Sequence, residues 1–207
     1  CFQGFIGWYM VSSGLVDRID VSHYRLSVHL LIAFIILASL IWNLLNFKYK
    51  ENKKFFFNKL DSISIKILVF LTFLQIMFGA FVSGLDAGKI YQTWPLMNNS
   101  YFPSDINFKN YKEFLDFSDR SVVQFIHRNL AYIIFLLIIY IGYLIKKFNK
   151  INLYKAYYYL LIFVFIQIFL GILALLSNLN IIVASMHQIS SIFLIIVSIN
   201  FYYKSIN

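Results

Sequence analysis

The chain has 207 residues, 60% of them hydrophobic and 13% charged, a balance that excludes a water-soluble globular domain and predicts an all-α, polytopic membrane bundle. Its single cysteine, Cys1, excludes an intrachain disulfide and any paired-cysteine metal or redox motif. The net charge of +9 could suggest a nucleic-acid partner, but its placement along the chain argues against one.

The chain opens at Cys1 inside an apolar run, without an initiator methionine and with no visible signal peptide. Residues 1–15 therefore read as the outer end of a truncated span, with upstream helices expected before it. A short polar link, 16–23, leads to an apolar span at 24–47 and a Lys-rich loop at 48–61. A second full span covers 62–84, and a long loop at 85–119 holds both prolines, Pro95 and Pro103. The third span is 120–145, followed by a basic turn at 146–155, a fourth span at 156–176, a tight turn at 177–180 and a fifth span at 181–203. Each is long enough to cross ~30 Å of hydrocarbon as a helix, which satisfies its own backbone polar groups.

Lysine sets the orientation. Alternation of the spans puts Lys48, Lys50, Lys53, Lys54, Lys59, Lys66, Lys146, Lys147, Lys150, Lys155 and Lys204 on one side, opposed there only by Glu51 and Asp61. Eleven lysines less two acids account for the whole +9, and the other side balances seven basic against seven acidic residues. The positive-inside rule makes the lysine side cytoplasmic, or matrix, and leaves nothing for nucleic-acid binding to explain. No acid falls within a span, which weakens a transporter or pump reading.

Three of the four histidines, His29, His127 and His187, lie five to eight residues inside apolar runs. At ~1.5 Å rise per residue they share a depth of roughly 8–12 Å from the outer face. Buried ionisable groups in a membrane are costly and mark function, and three imidazoles at one level point to iron ligation, with heme the first candidate. His23 lies in the polar link and reads as solvated. Arg18, Arg25, Arg120 and Arg128 also fall on the outer side; Arg25 and Arg128 stand within a turn of a histidine and suit the carboxylates of heme propionates. Arg18 and Arg120 are equally well interfacial.

An internal repeat accompanies the histidines. Gln3-x-x-x-Gly7, Gln75-x-x-x-Gly79 and Gln167-x-x-x-Gly171 recur near outer span ends, and the first two extend to Gly14-Leu15 and Gly84-Leu85. Gln3…His29 matches Gln167…His187, which suggests related half-bundles. Glycine in membrane helices also marks close packing. Small residues flank the histidines (Ala184, Ser190 and Ser191 by His187, Ala131 by His127, Ala33 by His29) and would leave room for a flat macrocycle.

The stretch Gln3-Gly4-Phe5-Ile6-Gly7-Trp8-Tyr9-Met10-Val11-Ser12-Ser13-Gly14-Leu15, then Tyr24-Arg25-Leu26 and His29-Leu30, resembles the heme A synthase family. So do Gly79-Ala80-Phe81-Val82-Ser83-Gly84-Leu85-Asp86-Ala87-Gly88-Lys89, followed by Tyr91-Gln92-Thr93-Trp94-Pro95-Leu96-Met97, and the segments Gln124-Phe125-Ile126-His127-Arg128 and His187-Gln188. The likeness covers nearly the whole chain and is to the mitochondrial and proteobacterial branch. It implies eight helices in two pseudo-repeated four-helix halves, five full spans and one truncated span being present in this chain. Residues 1–50 would be the remainder of the N-terminal half, on the side of the substrate heme O. Residues 62–207, with external loop 85–119, would be the C-terminal half, holding a cofactor heme B.

By that resemblance His127 and His187 are axial ligands of heme B, with Arg128 and Gln124 as further cofactor-binding residues. His29 and Arg25 belong to the heme O site, and His29 is the catalytic-side residue whose partner histidine and glutamate would precede Cys1. The implied reaction oxidises a heme O methyl to the formyl of heme A by successive hydroxylations, for cytochrome oxidase assembly, and the fragment alone is not expected to catalyse it. Implied partners are heme O, membrane lipid, heme O synthase, an electron donor and a second copy of the chain. The implied place is the cell inner membrane, or the mitochondrial inner membrane in a eukaryote. Trp94 and Tyr91 would either cap a heme edge or anchor the loop at the interface. Bis-histidine ligation alone would serve a non-enzymatic b-type cytochrome equally well; the motif from Gly84 to Met97 separates the two.

Overall fold

The structure, a computed structural model, describes residues 1–14, 20–55, 63–106 and 116–206. Arg18, Lys59 and Asp61 lie outside the described residues. Six α-helices run in chain order: α1 (Phe2–Val11), α2 (His23–Tyr49), α3 (Ile63–Gly84), α4 (Arg120–Lys147), α5 (Ile151–Leu176) and α6 (Ile181–Ser205). A short 3₁₀ turn, Ala87–Lys89, and a single antiparallel bridge between Met97 and Ser100 shape the outer loop. Helices α2 to α6 are each long and apolar enough to span a membrane, so the chain is a polytopic helical membrane bundle.

The expected spans sit where the apolar runs placed them, but their inner ends reach further. Helix α5 starts at Ile151 rather than at 156, so the basic turn shrinks and Lys155 lies within the helix. Lysines can occupy terminal turns because their long stems carry the charge out to the headgroups. Lys48, Lys146, Lys147 and Lys204 sit in the last turns of α2, α4 and α6, where they also meet the negative end of the helix dipole. Local chemistry sets the other ends. The Asp119 carboxylate accepts from the backbone N–H groups of Ser121 (2.8 Å) and Val122 (3.0 Å) to start α4. Asn180 accepts from Ile182 N–H (3.0 Å) to start α6, satisfying donors that a helix start leaves free.

Helices α3, α4, α5 and α6 close a four-membered ring in which each packs on the next and α6 returns to α3; α4 and α6 face each other across the diagonal. Helix α2 packs against α3 and α6 from outside this ring, and α1 packs on α2. Lipid tails are as apolar as leucine, so close fit and polar ties hold such helices together. The fit comes from fully buried Leu68, Ile138, Leu160, Ile195 and Ile199. One tie between helices is Ser27 Oγ donating to the Met77 carbonyl (3.2 Å). At the lysine end, Trp42 Nε1–H donates to the Lys53 carbonyl (2.9 Å), and the Tyr203 hydroxyl bonds both Asn46 and Glu51. These bonds fasten the basic loop to α2 and α6.

Candidate functional site

Each of the three span histidines is half-buried and sits in the same kind of seat. The side-chain amide of Gln3 on α1 donates to the backbone carbonyl of His29 on α2 at 3.0 Å. Gln75 on α3 does the same to His127 on α4 (3.1 Å), and Gln167 on α5 to His187 on α6 (3.1 Å). In all three the amide nitrogen also lies 3.3–3.5 Å from a ring nitrogen. One turn on from each glutamine comes the glycine, and a Cβ added there would meet the imidazole Cε1: 3.1 Å from His29 at Gly7, 3.3 Å from His127 at Gly79, 2.9 Å from His187 at Gly171. The glycine thus faces the imidazole itself, in the close helix packing that glycine in a membrane helix marks.

The repeat is also threefold where the sequence paired only two units with their histidines. Gln75 and His127 are separated by 52 residues and the long loop, which hides a pairing that short turns make plain in the other units.

His127 and His187 come from α4 and α6, the two diagonal helices of the ring. His187 Nδ1 lies 3.1 Å from the Gln167 backbone carbonyl. A carbonyl only accepts, so Nδ1 carries the proton and Nε2 keeps a lone pair. That is the tautomer of a histidine that ligates a metal through Nε2; here the Gln167 amide nitrogen lies 3.5 Å from that atom. His127 Nδ1 is buried without a well-formed hydrogen bond, although the Gln75 backbone carbonyl is within electrostatic reach. Among the described residues no three His, Cys, Asp or Glu side chains converge on a point, so a bare metal ion held by protein alone has no ligand set here. Two imidazoles from separate helices suit a macrocycle that brings its own equatorial nitrogens and needs only axial partners.

The remaining expected site residues fall elsewhere. Gln124, 3% exposed, donates from Nε2 to the Tyr91 carbonyl (2.9 Å), and Arg128 Nη2 donates to that same carbonyl (2.7 Å). Both therefore clamp the outer loop onto α4. Tyr91 is 3% exposed and packs with Met97 and Phe125, so it is a core residue of the loop; Trp94 is exposed. Arg25 Nη1 donates to the Tyr9 carbonyl (2.8 Å) and Ser12 Oγ (3.2 Å), with the guanidinium 3.9 Å above the Tyr9 ring. It closes the end of α1. His23 is only partly exposed: it begins α2, its ring lies 4.1 Å from that of Tyr24 and 5.7 Å from that of Phe81, and its Nε2 is buried without a partner. Residues 116–117, distant in sequence, complete that surrounding.

Asp105 ties the loop down a second time. Tyr91 and Ser121 hydroxyls both donate to its carboxylate at 2.5 Å. Burial alone would lift this carboxyl, but the bonds from Ser121 and Tyr91 outweigh it and hold it below the ordinary carboxylate range. A depressed carboxylate adds stability that is present above its unfolded pKa and is lost as pH falls through the lower folded value. Hydrogen-exchange protection of the loop around Tyr91 should accordingly be flat near neutrality and drop below about pH 4. Asp105→Ala orphans two buried hydroxyls and should lower that protection at neutral pH by about 1 kcal/mol, the low end of such losses because water reaches the exposed carboxylate. Unchanged protection in the variant would remove Asp105 from loop docking.

The sequence comparisons now bear on this geometry. A model of the cytochrome oxidase assembly protein family matches residues 1–199. The chain is 42% identical over 207 residues to heme A synthase of Pelagibacter ubique, covering 100% of this chain and 60% of that protein. The chain belongs to the heme A synthase family. A further member, from Rickettsia rickettsii (strain Sheila Smith), is 39% identical over 208 residues, covering 98% of this chain and 60% of the relative. One from Flavobacterium psychrophilum is 40% identical over 190 residues, covering 90% and 56%. The chain thus spans about 60% of the length of these heme A synthases.

Proposed function

We propose that the protein is a heme A synthase that oxidises a methyl group of heme O to the formyl group of heme A by successive hydroxylations. The observation that carries the reading is the pair of Gln-seated imidazoles, His127 and His187, on diagonal helices of one four-helix ring in a chain of this family. His127 and His187 would hold heme B as axial ligands; the redox chemistry is the heme's own, and the protein supplies ligation, orientation and electrostatics. Arg128, next to His127, places a cation where a propionate would need one, and with Gln124 it keeps the outer loop seated on α4.

His29 lies in the remaining seat, on α2 outside that ring, and is assigned with Arg25 to the substrate heme O. On this reading residues 1–50 belong to the N-terminal half and 62–207 to the C-terminal half. The lysine bias supports an inner-membrane protein with its histidines toward the outer face. Membrane lipid surrounds it, and heme O synthase, an electron donor and a second copy of the chain are its proposed partners.

The test is expression of the complete gene in a host lacking its own heme A synthase, with extracted hemes separated by chromatography. Heme A should accumulate. Protein that binds heme yet yields no heme A would favour the electron-transfer cytochrome.

A further inference from the structure

The reciprocal contact between Gln167 and His187 is more than packing requires. The Gln167 side chain donates to the His187 carbonyl, while the Gln167 carbonyl accepts from His187 Nδ1. The exchange fixes both the backbone and the ring of the histidine from a single residue. Ser190, one turn along α6, holds the glutamine in turn: its single hydroxyl proton is within reach of both Gln167 Oε1 and the His187 carbonyl. The amide has no freedom to rotate, because its nitrogen is aimed at a carbonyl and its oxygen at a hydroxyl. On the other flank, Gly171 stops the ring from moving toward α5 only by being as close as it is: even a methyl group there would stand 2.9 Å from Cε1.

We propose that Gln167 and Gly171 are positioning residues that set the rotation and tautomer of the His187 imidazole, and that Gln75 and Gly79 set the rotation of the His127 imidazole. The proposal rests on the reading of His127 and His187 as heme ligands. The glutamine fixes ring direction at His187, since its backbone carbonyl accepts from Nδ1–H at 3.1 Å while its side-chain nitrogen lies 3.5 Å from Nε2. The glycine fixes ring depth. The third unit, Gln3–Gly7–His29, has the same amide donor, histidine carbonyl and glycine spacing, so this half of the contact recurs at all three span histidines, and the carbonyl on ring Nδ1 belongs to the His187 unit. Partners of this kind typically change metal affinity by about 10–100-fold when removed.

The expected effects are graded by distance. In the purified complete protein, Gly171→Ala must displace the His187 ring, because 2.9 Å is closer than atoms can stand. Gly79→Ala, at 3.3 Å from His127 Cε1, needs only a few tenths of an ångström. Gly4→Ala is the matched control, with nothing within 4 Å of the added carbon. Electron paramagnetic resonance of the oxidised heme should therefore show low-spin g values shifted most in Gly171→Ala, less in Gly79→Ala and not at all in Gly4→Ala. Alanine favours helix over glycine, so these variants accumulate even if Gln167→Leu folds poorly. Where Gln167→Leu accumulates, it should lose heme about 10–100-fold more readily.

His187→Ala separates the two ideas. If it keeps its heme, the ligand reading fails. If it loses heme while Gly171→Ala keeps wild-type g values and heme content, the ligand reading stands and the positioning proposal is overturned.

Discussion

Alanine at His127 or at His187 should strip most of the heme from the purified protein, and what remains should lose its six-coordinate, low-spin absorbance. The loss should exceed the about 10–100-fold that removing an outer-shell partner brings, because the bond itself goes. No neighbour can stand in. On α4, Gln124 and Arg128 are engaged with the Tyr91 carbonyl and the Asn129 amide with the Phe125 carbonyl, and a guanidinium is a pure donor. Beside His187 the facing position is Gly171, which offers no atom to reach the gap. The fold should survive, since the ring of α3 to α6 is packed by Leu68, Ile138, Leu160 and Ile199, and circular dichroism should confirm it. Full heme occupancy in both single variants would sink the ligand assignment.

The helices and the histidine level could be read from sequence because each carries a large energetic penalty if misplaced. An unpaired backbone in lipid costs several kcal/mol per group, so 20-residue apolar runs have one way to exist. Imidazoles inside them stand out against that background. The Gln-x-x-x-Gly repeat was visible as spacing, but its cause was not: a hydrogen bond to a backbone carbonyl has no sequence signature, since every residue has that carbonyl. The same limit explains Gln124 and Arg128. Both were found by their nearness to His127, yet the Tyr91 carbonyl they share belongs to a loop whose path follows no periodicity.

His23 was misread in part, for a related reason. Its local sequence is polar, but its burial comes from Phe81 on α3 and from residues 116–117 beyond the loop. Leu179 against Gly88, the contact by which the α5–α6 turn meets the outer loop, was equally beyond a reading by local pattern. Such contacts between distant, irregular segments appear only once the helices have been placed.

In the complete protein, His29→Ala should spare the heme held by His127 and His187 while lowering heme A yield. His29 is seated by Gln3 of α1, and α2 lies outside the ring that carries the other two histidines, so its loss leaves both other seats intact. Arg25, one turn before it, grades the same effect. Its Nη1 closes α1 on Tyr9 and Ser12, with the guanidinium stacked on the Tyr9 ring; under the proposed assignment it also meets a propionate of the substrate heme. Arg25→Lys keeps the charge but loses the planar fork and the stack, so it should be impaired, and Arg25→Ala more so. A charge-assisted bond of this kind is worth about 1.5–3 kcal/mol, or roughly one to two decades in substrate binding. The measurement is heme A yield together with bound heme for each variant, in a host without its own synthase. Loss of the His127–His187 heme in a folded His29→Ala protein would mean that the three seats are paired differently. Normal heme A yield would take His29 out of the substrate site.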